Sequence, residues 1–308
     1  MRIEPKLLGI HANPPSWLKS LYVALPFLLI IVGYALASHF YLEDNPHGKL
    51  LPSFSAMGER LWDFATDLDT RTETYLLWAD TATSLIRFGT GLFYAAVVGL
   101  LLGLNIAMFP GLRYLALPGI VALSFIPVVT MLPILLVVVG IGEEAKILFI
   151  FLGLVFIITR EMYAAAMKVP QELKIKARTL GASELALTYR IVLPLIMPSL
   201  IETVRLNLGL VWFCLIASEG IAANEGLGYR IFLLRRTSEM VGIIPYSLWI
   251  TLLAAGVFQL LGTLLEILFP WRYERGRIAQ AVVFVPTFVS AMFSRSHGTQ
   301  TNATRRAS

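Results

Sequence analysis

The feature that most constrains this chain is a series of long apolar runs that carry almost no charge. Charged residues make up only 15% of the sequence, whereas soluble domains usually contain about 25%. A helix needs about 20 mostly apolar residues to cross the hydrocarbon core of a bilayer. The runs therefore predict an all-α, polytopic membrane helix bundle with about six transmembrane helices. The predicted spans are Leu21–Leu42, Leu85–Phe109, Leu115–Val139, Ile147–Ile158, Leu195–Ala217 and Ile243–Phe269.

Basic residues near the ends of these runs predict the orientation, because cytoplasmic loops carry an excess of lysine and arginine. The segment between the first two spans, residues 43–80, is rich in acidic residues. The loop at residues 230–236 lies on the same side of the membrane but is basic, so it does not fit this pattern. The opposite side carries the basic N-terminus, residues 160–194 and residues 272–277. We therefore expect a multi-pass protein of the bacterial cytoplasmic (inner) membrane with both termini in the cytoplasm.

Several classes of function are disfavoured by what the sequence lacks. The net charge of +5 comes from basic residues beside apolar spans, where membrane orientation explains them, so no nucleic-acid partner is expected. No Gly-x-x-x-x-Gly-Lys-Ser/Thr phosphate loop and no His/Cys/Glu cluster with metal spacing is present. The single cysteine, Cys214, lies in an apolar run and is expected in the core. We expect a non-catalytic chain that binds no cofactor or metal itself.

Residues 169–199 predict two short helices that meet at a glycine. Pro170 opens the segment, and Leu173, Ala177 and Leu180 follow at helical spacing. Gly181 interrupts this pattern, and Ser183 is a suitable N-cap for a second short helix that ends at Arg190. On this pattern alone, the segment is either an ordinary amphipathic interfacial loop or a docking element for a cytoplasmic partner.

The same segment resembles the "EAA" signature of binding-protein-dependent importer permeases, which reads Glu-Ala-Ala, three residues, Gly, nine residues, Ile-x-Leu-Pro. The resemblance implies a coupling helix that docks into a groove of a cytoplasmic ATPase. Ile175 and Lys176 depart from the family pattern, because they occupy its usual Glu and Ala positions. The residues that the resemblance assigns to this ATPase-coupling loop are Ala177, Leu180, Gly181, Ala182, Ser183, Ile191, Leu193 and Pro194.

The resemblance covers residues 81–271. Within this range, three motifs are similar to those of the nitrate/sulfonate/taurine-type branch of the family: Ser84-Leu-Ile-Arg87, Gly140-Ile-Gly142-Glu143 and Gly226-Leu-Gly228-Tyr229. It implies a type I ABC importer-like fold with a cytoplasmic coupling-helix loop. The implied partners are ATP-binding-cassette ATPase subunits that carry ATP and magnesium, a second permease copy, an extracytoplasmic solute-binding protein and membrane lipid. The implied solute is a small anion such as nitrate, a sulfonate or taurine.

The chain thereby divides into three predicted parts. Residues 1–80 form an N-terminal cytoplasmic segment, the first transmembrane helix and an external loop. Residues 81–271 form the core permease transmembrane domain, and residues 272–308 form a C-terminal cytoplasmic tail. Within the tail, the apolar patch Ile278–Phe293 either lies on the membrane surface or packs as a partial helix.

Ionisable residues inside the spans are candidates for the translocation path or a gate, since burying charge in a membrane is expensive. Arg87 either snorkels to the interface or lines the path, and Arg205 either packs against carbonyl or carboxylate groups or lines the path. Glu219 is expected to pair with Arg87 as a structural bridge or gate. Arg205 and Glu219 are expected to matter for transport more than for folding.

One uncharged polar residue and three glycines inside the spans predict where helices contact each other. Asn105 is expected to form an interhelical hydrogen bond, and Gly91, Gly99 and Gly103 are expected at close helix contacts. Two other functions stay open at this point. A secondary transporter would normally show internal symmetry, which the sequence lacks. A non-transport membrane scaffold would bind a cytoplasmic protein through residues 169–199.

Overall fold

The computed structural model describes residues 16–45, 48, 50–68 and 73–271, and within these ranges the chain is helical. Its secondary structure beyond helices and turns is one isolated bridge between Leu68 and Tyr75. The helices are α1 (Ser16–Asp44), α2 (Phe54–Thr66), α3 (Leu76–Met108), α4 (Pro110–Ser124), α5 (Val128–Val138), α6 (Glu143–Met167), α7 (Gln171–Thr179), α8 (Glu184–Ala186), α9 (Leu193–Leu206), α10 (Leu208–Ala222), α11 (Leu227–Arg236) and α12 (Met240–Leu268), with a π-helical turn at Leu187–Val192 between α8 and α9.

Five helical segments in these ranges are long and apolar enough to cross a membrane, and the number rises to seven if two bent helix pairs each count as a span. The five are Ser20–Glu43, Leu76–Met108, Glu143–Met167, Glu184–Leu206 and Met240–Leu268. Each predicted apolar run overlaps one or more of these segments or bent pairs. The prediction of an all-α polytopic membrane bundle is confirmed.

The third predicted span, Leu115–Val139, is wrong as a single straight helix. The chain instead forms α4 and α5, whose axes differ by 100°. Pro127 stands at the N-cap of α5 with φ −60° and ψ 120°. A residue before proline avoids the helical conformation, so Ile126 favours a break at this point. Pro118 and Pro133 lie inside α4 and α5 without ending them.

The boundaries of the fourth and fifth predicted spans also differ. The fourth is longer than Ile147–Ile158, because α6 continues through its charged ends. The fifth, Leu195–Ala217, is interrupted at Asn207, whose side-chain amide donates to the Thr203 carbonyl at 2.8 Å. An asparagine that satisfies local carbonyls competes with the helical ladder, which explains the break between α9 and α10.

The described chain separates into two compact units. Among the described residues, the first unit comprises those within 16–87 together with 141–146 and 215–251, and the second comprises residues 88–140, 147–214 and 252–271. In the first unit, Phe64 of α2 packs edge-on against the buried Tyr246, with ring centroids 5.3 Å apart. Helix α2 lies within residues 43–80, where the sequence predicts an external loop, and the Ser53 hydroxyl accepts from the Ala56 amide at its start.

In the second unit, α3 and α6 pack closely along three glycines. A Cβ atom added at Gly91 or Gly99 would lie 2.7 or 2.8 Å from the side chain of Ile150 or Ile158, respectively. A Cβ atom at Gly103 would lie 2.5 Å from the Thr159 carbonyl oxygen. The predicted close-packing role of these glycines is confirmed. The apolar patch Ile278–Phe293 lies outside the described residues.

Candidate functional site

Residues 169–194, named the coupling segment here after the role that the sequence predicts for them, begin with two short helices that meet at Gly181. Helix α7 ends at Thr179, and Gly181 has a φ of +85°. Its amide donates to the Arg178 carbonyl at 2.9 Å, and the Ala182 amide donates to the Ala177 carbonyl at 3.0 Å. A positive φ costs a residue with a Cβ about 1–2 kcal/mol, so glycine suits this corner. The predicted glycine corner is present.

The corner exposes apolar side chains rather than burying them. The exposed fractions are 89% for Leu180, 63% for Leu185 and 62% for Ile175, whereas Ala177 is buried. The neighbouring Lys176 and Arg178 are also exposed. Arg178 lies 3.5 Å from the exposed Glu184, so the exposed apolar groups stand among charges of both signs, and such a surface is often covered by another macromolecule. Ile175, which replaces the family glutamate, is part of this surface.

The second helix of the segment starts as predicted and ends elsewhere. The Ser183 hydroxyl accepts from the Ala186 amide at 3.2 Å, as an N-cap does. The helix does not end at Arg190, because the π turn, which contains Ile191, continues directly into α9 at Leu193. A proline ring inside a helix clashes with a carbonyl one turn earlier, and a wider π turn leaves room before Pro194.

Two side-chain contacts attach the coupling segment to the rest of the second unit. The Tyr189 hydroxyl donates to Asn105 Oδ1 of α3 at 3.0 Å, which confirms the predicted interhelical hydrogen bond of Asn105. The Lys174 ammonium lies 3.5 Å from the Ala166 carbonyl at the end of α6. Burial lowers the pKa of Lys174, and the nearby positive charges of Arg113 and Arg178 lower it further.

A cavity of about 460 Å³ lies beside the coupling segment in the second unit. Pro170 and Leu173 form one part of its wall, and α6 and α9 form the others. Its lining includes Glu161, Lys168 and Glu202, so both signs of charge are present. The start of α7 therefore borders a space large enough for a small molecule.

Arg87, in the first unit, is the centre of a buried charge cluster. Only 1% of the residue is exposed, so the predicted snorkelling to the interface is wrong. Its guanidinium donates to Glu143 through Nε at 2.5 Å and Nη2 at 2.8 Å, and to Glu219 through Nη1 at 2.9 Å. Nη1 also donates to the Glu225 carbonyl at 2.8 Å. Two carboxylates can compensate a buried guanidinium, which removes the reason to reach the interface.

Glu219 is fully buried and pairs with Arg87 as the sequence suggested. The Ser84 hydroxyl lies 2.7 and 2.9 Å from its two carboxylate oxygens. The Gly228 amide donates to Oε2 at 2.8 Å. A Cβ atom at Gly226, whose φ is +116°, would lie 2.6 Å from the Glu219 carboxylate. Both the backbone conformation and the space available therefore require glycine at position 226.

Asp80 completes the cluster and was missed by the sequence analysis. Its carboxylate accepts from the Gly226 amide at 2.9 Å, from Arg230 Nε at 2.8 Å and from the Tyr246 hydroxyl at 3.2 Å. A signal for it exists, because Asp80, Ser84 and Arg87 recur at i, i+4 and i+7 and so share one face of α3. Asp80, Ser84 and Glu219 accept from the backbone amides of Gly226, Leu227 and Gly228, respectively, at the start of α11.

Arg205, in the second unit, makes none of these cluster contacts. Its Nε donates to the Phe258 carbonyl at 3.1 Å, and its guanidinium carbon lies 3.8 Å above the Phe258 ring centroid. This contact matches the predicted packing against a carbonyl. Cys214 is buried, as expected of a core residue. Within the part of the chain that the structure describes, no group of three His, Cys, Asp or Glu residues could hold a metal ion.

Two relatives found by comparison with known proteins are transport permeases. Taurine transport system permease protein TauC of Escherichia coli (strain K12) is 34% identical over 156 residues, which span 50% of this chain and 56% of TauC. Nitrate import permease protein NrtB of Synechocystis sp. is 29% identical over 178 residues, or 58% of this chain and 63% of NrtB. The chain thus matches less than two thirds of the length of these relatives.

The fold is similar to that of a solved transporter. A chain of the MetNI methionine ABC transporter in an inward-facing conformation matches with a TM-score of 0.55 and 20% sequence identity, covering 65% of this chain and 99% of that chain. The family model described as "Binding-protein-dependent transport system inner membrane component" matches residues 95–274, which is more than half of the chain. The chain therefore belongs to the family of inner membrane components of binding-protein-dependent transport systems.

Proposed function

We propose that this chain is the permease subunit of an ATP-binding-cassette importer and forms the translocation path for a small solute. The observation that carries the proposal is the exposed corner at Gly181, which occurs here in a chain that belongs to a family of transport-system membrane components. Leu180 and Leu185 stand out from the corner, where a docked ATPase would remove them from water. Burial of apolar surface stabilises association by roughly 25 cal/mol per Å² before the entropic costs of binding.

The energy for transport comes from the partner in this proposal. The sequence has no phosphate loop, so ATP and magnesium are assigned to separate cytoplasmic ATPase subunits. The coupling segment then belongs on the cytoplasmic face, together with both termini. An external binding protein delivers the solute, and a second permease copy completes the membrane part. The chain itself performs no catalysis.

The solute class is proposed from similarity alone. TauC and NrtB carry taurine and nitrate in their names, which supports a small anion such as taurine, another sulfonate or nitrate. Arg87 adds no support for an anion site, because carboxylates already surround its guanidinium. We assign Arg87 and Glu219 to a bridge that holds the bend between α10 and α11 to α3. Arg205 packs against the Phe258 carbonyl and ring, so its role in the translocation path is a separate proposal that an uptake assay tests.

The experiment that tests the coupling role replaces Gly181. No heavy atom of a neighbouring residue lies within 4 Å of a Cβ added there, so a substitution acts through backbone strain rather than through a clash. Gly181→Val should lose ATPase recovery in a pull-down by about 5- to 30-fold at matched membrane levels, since 1–2 kcal/mol corresponds to such factors. Ala177→Asp, which places a charge at a buried position, should also release the ATPase.

Gly181→Asn is the matched control, because asparagine enters the left-handed region more readily than other residues with a Cβ. The Gly181→Asn protein should recover more ATPase in the pull-down than the Gly181→Val protein, although both substitutions enlarge the side chain at the same position. Equal ATPase recovery by wild type and Gly181→Val, with unimpaired uptake, would contradict the coupling role. In that case a secondary transporter or a scaffold would explain the bundle better.

A further inference from the structure

The π turn at Leu187–Val192 stands between the glycine corner and the apolar helix α9. A π turn holds one residue more than an α turn, is marginally stable, and occurs often at functional sites. Three of its residues, Leu187, Thr188 and Val192, are buried. The turn is therefore packed into the second unit although its backbone geometry is unfavourable in isolation.

One polar contact anchors this turn to α3. Tyr189 projects from the middle of the turn, and its hydroxyl donates to Asn105 Oδ1 at 3.0 Å. The Asn105 amide nitrogen donates to the Leu101 carbonyl at 2.7 Å, so its oxygen is oriented to accept from Tyr189. The donor and acceptor assignments of both side chains are thereby consistent with each other.

The anchor point itself is rigidly held. Gly103, two residues before Asn105, lets α3 approach α6 so closely that an added Cβ would lie 2.5 Å from the Thr159 carbonyl oxygen. Interfaces with such close backbone contact do not deform continuously. Asn105 therefore offers a fixed point beside the π turn, and the hydrogen bond from Tyr189 that joins them is exposed.

We propose that the π turn and the Tyr189–Asn105 hydrogen bond form the joint that transmits movement of the coupling segment to α9. This inference rests on the proposed function and assigns Asn105 and Tyr189 as positioning residues that act after the ATPase has docked. A displaced π turn changes the register of the helix that follows, while the bond to Asn105 fixes the pivot. Without that bond, movement at the corner is absorbed within the turn.

The experiment measures movement of α9 without needing the solute. Cys214→Ala removes the single cysteine of the chain, and Leu195→Cys then places one thiol on the first turn of α9. Leu195 is 43% exposed and lines the cavity, so a maleimide can reach it. The complex with its cognate ATPase is labelled with N-ethylmaleimide in the nucleotide-free state and after trapping with MgATP and vanadate. The readout is the ratio of the two labelling rates.

The variants remove either end of the hydrogen bond. Tyr189→Phe deletes one hydroxyl, and Asn105→Leu replaces the amide by an apolar side chain of similar size. Each should reduce the state-dependent change in labelling about fivefold, which corresponds to about 1 kcal/mol for one hydrogen bond. The double variant should be no worse than either single variant. Tyr163→Phe, which removes another hydroxyl from the second unit, should leave the ratio unchanged.

The amount of ATPase recovered separates this inference from the proposed function. We expect Tyr189→Phe and Asn105→Leu to recover as much ATPase as the parent protein. If the variants bind the ATPase and show the same labelling ratio as the parent protein, the proposed joint is refuted and the proposed function is not affected. Loss of ATPase recovery in these variants, or additive effects in the double variant, would also overturn the joint. If the parent protein recovers no ATPase, the proposed function fails and the joint fails with it.

Discussion

Replacing Glu219 by glutamine tests whether the buried charge cluster holds the first unit together. The glutamine keeps the size of the side chain but replaces one acceptor oxygen by a donor group. That group would face the hydroxyl of Ser84, the guanidinium of Arg87 or the amide of Gly228, all of which now donate to Glu219. The substitution therefore removes an ion pair and places a new donor group against groups that are themselves hydrogen-bond donors.

The magnitude follows from the burial of the pair. Removing one partner of a buried ion pair typically costs about 3–5 kcal/mol, because the other charge stays buried without compensation. Glu143 still contacts Arg87 through two hydrogen bonds, so we expect the lower end, about 3 kcal/mol. For a chain of this size, that corresponds to a fall in Tm on the order of 10 °C. The protein should still be inserted, because the spans satisfy their own backbone hydrogen bonds.

The assay is thermal unfolding of the purified permease in detergent, with two comparisons. Glu225→Gln is the matched control, because the Glu225 carboxylate is largely exposed and lies 3.8 Å from Arg87 Nη2, so its loss should cost less than about 1 kcal/mol. The double variant Arg87→Met/Glu219→Met should be more stable than Glu219→Gln, since no unpaired buried charge remains.

A Glu219→Gln protein as stable as Glu225→Gln would refute the structural role of the pair. The sequence analysis favoured transport over folding for Glu219, and its buried contacts now favour a structural role as well. Uptake is therefore measured, with taurine as one of the proposed solutes, only after the membrane levels have been matched. If the variant is stable and uptake is lost, Glu219 acts as a gate rather than as a bridge.

The remaining predictions concern orientation, the path and the docking surface. With both termini cytoplasmic, a cysteine at Ser55 should label from outside and one at Ser183 should not; labelling of Ser183 from outside would reverse the topology. Arg205→Leu should insert normally yet lose uptake of the proposed solute or uncouple ATPase turnover, and full uptake would leave Arg205 a packing residue. Ile175→Glu should not increase ATPase recovery, because the native partner accepts isoleucine; a gain in the pull-down would contradict an apolar contact there.

Features that depend on a few neighbouring residues could be predicted from the sequence. The apolar runs predict membrane helices because the bilayer demands a fixed length of apolar chain. The corner at Gly181 and the cap at Ser183 follow from local backbone and side-chain chemistry, and both are present. The glycines of α3 could be predicted to pack closely because only small residues let two helix backbones approach.

Breaks and irregular turns inside apolar segments could not be predicted in the same way. The break at Asn207 and the π turn fall inside segments whose composition favours a continuous helix. Hydropathy averages over many residues and does not register one extra residue in a turn. The bend between α4 and α5 had a local signal at Pro127, but Pro118 and Pro133 lie inside helices, so proline alone does not identify the break.

The charge cluster shows why an isolated charged residue in an apolar span is a poor guide to its own role. Because it lies near the end of its predicted span, Arg87 considered alone is compatible with snorkelling, and Glu219 is the one partner that the sequence suggests for it. Its partners Glu143 and Glu219 lie 56 and 132 residues away along the chain. Arg87 is better interpreted together with Asp80 and Ser84, which lie on the same face of α3, because such a face requires several hydrogen-bond partners at once. The amides at the start of α11 are some of these partners. A polar helical face in an apolar span therefore predicts a buried network, even where its partners stay unknown.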